Sequence, residues 1–176
     1  MCRRVGAAYL VESTVGGRLD VFGPVIELLT SLAGEAHDPC IMRGTIAPGG
    51  IVPLHSHADP EIFVQESGTL EGLSQSASGS RWLPIRPGSV FYVPGGARHG
   101  FRDLAREPAV SLVISTVRMG RFFARIGVVL AGTGAPEPVT SERLQHFLKV
   151  SNEFGYWNGS PADNAAVGLN VPSPTT

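Results

Sequence analysis

The middle of the chain alternates short apolar runs with turn residues. Between residues 40 and 117, runs rich in Val, Ile, Phe and Thr are interrupted by Gly and Pro roughly every ten residues. Such spacing favours β-strands arranged as a sandwich or a barrel. The predicted strands are residues 40–46, 51–57, 61–66, 69–73, 81–85, 89–93, 99–102 and 110–117.

Two apolar segments precede this region. Residues 18–22 and 25–30 are candidates for two further strands, although the second is also short enough to be a helical turn. Residues 21–32 are apolar enough to offer a contact to a second subunit.

The pattern after Met119 is helical. It predicts a short helix over residues 120–126, a Gly/Pro-rich connector over 131–138, a helix over 141–154, one further turn over 161–167 and a frayed tail from residue 172. Thr140 or Ser141 can cap the long helix, and Gly155 can end it. The apolar face of this helix is formed by Leu144, Phe147, Leu148 and Phe154.

The length of 176 residues fits one domain. We divide it into an N-terminal extension (1–39) whose strands join the barrel, a barrel core (40–117), and a C-terminal helical extension and tail (118–176). This organisation predicts an all-β barrel with C-terminal helices.

Charge and cysteine content narrow the possible partners. The 14 basic and 15 acidic residues form no block of one sign, which argues against nucleic acid and anionic membranes as partners. We therefore expect a small-molecule substrate. Two cysteines are too few for a disulfide framework, and no signal segment or membrane span is evident, so we expect a cytoplasmic protein.

Two histidines stand two residues apart on a predicted strand. Because successive strand residues point to opposite faces, His55 and His57 project to the same side and Ser56 to the other. Ile51 and Pro53 share the parity of the histidines, so we expect them to line the same face.

A carboxylate and a third histidine can join this pair. The short link over residues 58–60 returns Glu61 beside the histidines, and the turn over residues 94–98 leads into His99. Three imidazoles and one carboxylate suit one divalent ion of the group Fe, Mn, Co, Ni, Cu and Zn, without choosing among them. Gln65 shares the parity of Glu61 and is a candidate substrate contact.

The spacing of these residues forms two motifs. Gly49, His55, His57, Glu61 and Gly68 are separated by five, one, three and six residues, and Gly88, Pro94, Gly96 and His99 by five, one and two. In these motifs the chain resembles the cupin superfamily over about residues 40–117.

The resemblance implies a cupin β-barrel of the double-stranded β-helix or jelly-roll type. It places the metal ligands of the family on His55, His57, Glu61 and His99, and it implies a homodimer. One departure is Asp103, where the family often has a structural Asn, and this change should leave the metal site in place.

Three functions are compatible with such a site. The chain looks like the small quercetinase-like cupins, which suggests a dioxygenase of enolic or phenolic substrates in which Glu61 doubles as the catalytic base. A redox-neutral isomerase or polyketide-type cyclase would use the same ligands. A non-catalytic binding module is the third possibility, and the complete ligand set argues against it.

Overall fold

A computed structural model describes residues 7–8, 10, 17–130 and 138–171. Most of the predicted connector (131–137) and the predicted tail from residue 172 lie outside the described residues. The strands are β1 (Arg18–Asp20), β2 (Val25–Leu28), β3 (Pro39–Ile46), β4 (Ile51–Ser56), β5 (Glu61–Ser67), β6 (Leu70–Ser76), β7 (Gly79–Ile85), β8 (Val90–Val93), β9 (His99–Arg102), β10 (Ala109–Thr116), β11 (Val128–Leu130) and β12 (Trp157–Asn158).

The strands form two antiparallel sheets. One has seven strands in the order β11-β1-β2-β3-β10-β5-β8, and the other has five in the order β12-β4-β9-β6-β7. In the described chain no hydrogen-bonded ladder joins the two sheets, so the barrel is not closed by hydrogen bonds. The predicted all-β fold of the jelly-roll type is confirmed.

The largest part of the core lies between the seven-stranded sheet and the first two helices. Ile26 and Leu28 of β2 are buried there with Met42 of β3. Several of the apolar side chains that suggested a subunit contact over residues 21–32 thus lie in the core of one chain. The homodimer itself stays a prediction.

Three helices among the described residues follow or interrupt the strands. They are α1 (Val117–Ile126), α2 (Ser141–Glu153) and α3 (Pro161–Ala166). Thr140 caps α2 by accepting a hydrogen bond from the Arg143 backbone, as expected, and Gly155 follows its end with a φ of 67°. No helix among the described residues is long and apolar enough to span a membrane.

The buried face of α2 differs from the predicted one. Leu148 is 48% exposed, whereas Val150 is fully buried. The packing of Phe147 and Phe154 against the core decides this face. At about 100° per residue, Val150 lies about 60° from Phe147 around the helix, while Leu148 lies about 100° away.

Candidate metal centre

The four residues grouped by the sequence motifs lie together. His55 is on β4, His57 follows that strand, and Glu61 and His99 begin β5 and β9. One nitrogen or oxygen from each side chain lies within 4.8 Å of the others, and this group can hold a metal ion. The assignment of the four as ligands stays a prediction.

An extra residue in β4 aims His55 at this centre. Val52 lies opposite Phe101 of β9, and His55 lies opposite His99, so three steps along β4 match two along β9. This register shift is a β-bulge. Because of it, Val52 and His55 both line the central cavity although they are an odd number of residues apart.

The bulge overturns the predicted inner face of β4. Pro53 is exposed, and Ile51 packs with Leu54 and Leu169 on the outer side of the sheet. Alternation counted back from His55 places Ile51 and Pro53 inside, and this prediction is wrong because an inserted residue reverses the parity upstream of it.

The C-terminal segment satisfies the backbone of the bulge. The Leu54 N–H donates to Asn164 Oδ1 at 2.8 Å, and the Gly159 N–H donates to the Leu54 carbonyl at 2.7 Å. Asn164 is only 2% exposed. The N–H and the carbonyl of Leu54 are thus both hydrogen-bonded, which a buried strand requires.

Backbone carbonyls select the ring nitrogen that each histidine offers. In all three rings Nδ1 lies within hydrogen-bond distance of a carbonyl two residues away. A carbonyl oxygen only accepts, so Nδ1 carries the hydrogen and Nε2 of the neutral ring keeps a lone pair for a metal. The pairs are His55 with Pro53 (2.8 Å), His57 with Asp59 (2.7 Å) and His99 with Ala97 (3.0 Å).

Glu61 lies between two of these rings. Its Oε2 is 3.2 Å from Nε2 of His57 and 3.2 Å from Nε2 of His99. Burial opposes ionisation of this carboxyl, but the two histidines outweigh it and hold the pKa of Glu61 well below its usual value. An ionised carboxylate is the form that binds a cation.

The histidines differ in their electrostatic surroundings. Burial and the two neighbouring histidines lower the pKa of His55 far below its usual value, so this ring is neutral near pH 7. Burial also acts against protonation of His57, but Glu61 beside it raises the pKa of His57 overall. His57 Nε2 is buried, and its 3.2 Å approach to Glu61 Oε2 does not have the geometry of a hydrogen bond. A buried ring nitrogen that has no hydrogen-bond partner among the described residues, and that faces an ionised carboxylate and two further imidazoles, fits a divalent cation.

A buried carboxylate fixes the loop between His57 and Glu61. Asp59 is 3% exposed, and its side chain accepts hydrogen bonds from Thr116 (2.6 Å), Tyr156 (2.8 Å) and Arg118. The Tyr156 ring centroid also lies 5.2 Å from that of His57. The C-terminal region is therefore part of the wall around the metal centre.

The turn before His99 packs directly on this loop. The Gly96 N–H donates to the His57 carbonyl at 2.6 Å. A Cβ on Gly95 would collide with the carbonyl oxygen of Ala58. Glycine at position 95 is required for this close approach.

Several contacts of this site are absent from the motifs. Sequence analysis misses Asp59, Tyr156 and Asn164, because nothing local connects the C-terminal segment with residues 54–59. The side chain of Gln65, a candidate substrate contact, forms hydrogen bonds within the protein: it accepts from Ser111 and donates to the Ser67 carbonyl.

Comparison with known proteins identifies the central region. The family model described as "Cupin domain" matches residues 42–115. The resemblance to cupins that the motifs indicate is thus confirmed over residues 42–115. No curated protein sequence is significantly similar to the chain.

Three solved structures are similar to parts of this chain. A variant of the oxalate decarboxylase OxdC from Bacillus subtilis is 19% identical, with a TM-score of 0.52, over 63% of this chain and 30% of that chain. The polyketide cyclase RemF from Streptomyces resistomycificus is 19% identical (TM-score 0.49) over 66% of this chain and 80% of that one. A structure of the DMSP lyases RdDddP and RnDddQII is 22% identical (TM-score 0.46) over 53% of this chain and 47% of that one. The match thus spans about half of the lyase chain, and at these identities the similarity shows the fold alone.

Proposed function

We propose that this cupin is a metal-dependent dioxygenase that acts on a small enolic or phenolic substrate. One observation carries the proposal: His55 and Glu61 of the metal centre line an apolar cavity inside the barrel. The centre and the substrate space therefore share a boundary.

The protein's own residues have distinct roles in this proposal. His55, His57, Glu61 and His99 would hold the ion, which would supply positive charge and open coordination positions for a substrate oxygen and dioxygen. Glu61 is the only carboxylate among the described lining residues, so we assign the proton of the substrate hydroxyl to it. Phe63 and Phe101, with ring centroids 4.6 Å apart, form an apolar wall that excludes water.

The scarcity of proton donors favours oxygen chemistry over isomerisation or cyclisation. A redox-neutral reaction removes a proton at one substrate atom and returns one at another, which is easiest with two positioned groups. Apart from the proposed ligands, the residues with hydroxyl groups on the described wall are Thr45 and Ser111. The Ser111 hydroxyl already donates to Gln65, and alternation along β3 turns the Thr45 side chain to the opposite face from Gly44 and Ile46.

Metal analysis combined with dioxygen uptake tests the proposal. Protein purified without added metal is expected to contain close to one divalent transition ion per chain. The iron-, nickel- or manganese-loaded protein should then consume dioxygen with catechols or enediols, in step with substrate loss. Substrate conversion without dioxygen uptake would replace the proposal with the redox-neutral alternative, and absence of bound metal would reject both.

Two histidine variants provide the matched comparison. His99→Ala should abolish metal retention and dioxygen uptake, because it removes one of four ligands. His37→Ala removes an exposed histidine outside the centre and should leave both unchanged. Equal metal content in the two variants would refute the ligand assignment.

A further inference from the structure

The cavity beside the metal centre is small and apolar. Its volume is about 120 Å³. Phe63, Phe101 and Val113 contribute to its wall, and the described lining residues include no Lys, Arg or Asp. Any charge on a substrate therefore has a partner only at the end formed by His55 and Glu61.

The polar side chains along the wall cannot supply that partner. Ser111 Oγ donates to Gln65 Oε1 at 2.6 Å, so its hydrogen is not available to a substrate. Thr45 lies between Gly44 and Ile46 on β3, and alternation turns its side chain to the opposite face from theirs. A second anionic group deep in the cavity would thus be buried without a donor or a cation, which is strongly unfavourable.

The volume sets the size of the apolar body that the cavity can surround. A dry apolar cavity of about 150 Å³ is enough to bind benzene. A cavity of about 120 Å³ is therefore of the size of one ring. Fused or linked rings need a larger space.

Gly44 is placed to set this limit. It lines the cavity, and a Cβ built on it would lie 3.4 Å from Val113 Cγ2 and 3.7 Å from Ile26 Cδ1. Both neighbours also line the cavity, and these distances are ordinary contacts. An alanine side chain at position 44 would consequently take up cavity space without displacing the strand.

We propose that the cavity selects a substrate with one ring-sized apolar body and no charge away from its metal-facing oxygens, and that Gly44 and Val113 determine the size limit. This inference rests on the proposed function, because it names the substrate class of the same site. It excludes rings that carry a carboxylate remote from the metal-facing oxygens, and it excludes flavonols, which carry three rings.

Anaerobic calorimetry on the zinc-loaded protein tests the selectivity without turnover. The probes are catechol, naphthalene-2,3-diol, 3-hydroxyflavone and 3,4-dihydroxybenzoate, which carries a carboxylate on the far side of the ring from its catechol oxygens. Catechol is expected to bind at least tenfold more tightly than each of the other three. Equal or tighter binding of 3,4-dihydroxybenzoate would overturn the charge argument, and equal or tighter binding of 3-hydroxyflavone would overturn the size argument.

Two variants change the volume in opposite directions. Gly44→Ala should weaken binding of 4-methylcatechol at least fivefold relative to catechol. Val113→Ala should reduce the ratio of the catechol affinity to the naphthalene-2,3-diol affinity at least fivefold. If Val113→Ala does not fold, Gly44→Ala tests the size limit by itself. This variant is expected to fold, because the added methyl group creates no clash. An unchanged ratio of 4-methylcatechol to catechol binding in Gly44→Ala would refute the assignment.

Measurements on the metal-free protein separate this inference from the proposed function. The same walls enclose the cavity without the ion, so phenol should bind more tightly than 1-naphthol, and Gly44→Ala should weaken phenol binding. Size selection without any dioxygen uptake would leave the cavity inference standing and reject the dioxygenase. Dioxygen uptake with flavonols alone would reject the cavity inference and leave the dioxygenase proposal standing.

Discussion

Asp59 joins distant parts of the chain at one carboxylate. Thr116 ends β10, Arg118 lies in the first turn of α1 and Tyr156 precedes β12, and all three donate to Asp59. Its own backbone carbonyl accepts from His57. Burial and the hydrogen bond to Asp59 raise the pKa of Tyr156 well above its usual value, so the phenol stays protonated and remains a donor.

Removing this carboxylate should destabilise the protein and loosen the metal centre. Asp59→Ala leaves the Arg118 guanidinium and two hydroxyl groups without their acceptor, and we expect a loss of about 3 kcal/mol in the free energy of unfolding. Metal affinity should fall at least tenfold, because the loop that orients His57 is released. Urea unfolding of the metal-free protein and a chelator competition assay measure the two effects.

Tyr156→Phe is the graded control for this residue. It removes one donor and keeps the ring against His57, so the expected loss in the free energy of unfolding is about 1 kcal/mol. Equal losses for the two variants would mean that Asp59 does not act as the common acceptor.

Among the elements, β4 depends on α3 for its shape. The bulge that turns His55 inward leaves the backbone groups of Leu54 outside the strand ladder, and Asn164 and Gly159 pair with them. Asn164 also donates to the carbonyls of Gly159 and Ser160 at 3.0 Å each. One side chain therefore ties the start of α3 to the metal-bearing strand.

Asn164→Ala should weaken metal binding through this contact. The variant leaves the buried Leu54 N–H without an acceptor, which costs about 2 kcal/mol of stability, and metal affinity should drop roughly tenfold as His55 loses its fixed position. Ser160→Ala is the control, because it removes the N-cap of the same helix at a cost of about 1 kcal/mol without touching Leu54. Equal metal affinity in the two variants would show that the bulge does not need Asn164.

The same elements show what the sequence can predict. Strands β3 to β10 follow the predicted segments closely, because they are rich in apolar residues and most of the segments between them contain Gly or Pro. The strands β11 and β12 have only three and two residues, and they form by pairing with β1 and β4. No local sequence pattern predicts them. The four candidate ligands could be grouped from spacing, whereas Asn164, 110 positions from Leu54, could not.

At the scale of the whole molecule, the candidate ligands come from both sheets. Glu61 begins β5 of the seven-stranded sheet, while His55 and His99 belong to the five-stranded sheet and His57 directly follows one of its strands. No hydrogen-bonded ladder joins the two sheets in the described chain. An ion held by all four side chains would add a direct link across this gap.

Metal loading should therefore raise the thermal stability of the entire domain. An ion present at a hundredfold excess over its dissociation constant adds about 2.7 kcal/mol to the free energy of unfolding. For a chain of this size, that gain corresponds to a rise in Tm of about 5–10 °C. Circular dichroism melting of zinc-loaded and chelator-treated protein measures the difference, and an unchanged Tm would show that the four side chains do not act together.

Glu61→Ala provides the decisive comparison, because it removes the ligand from the seven-stranded sheet and leaves the three imidazoles on the other side. If the link between the sheets is the source of the gain, the zinc-dependent rise in this variant should fall below half of the wild-type value at equal zinc.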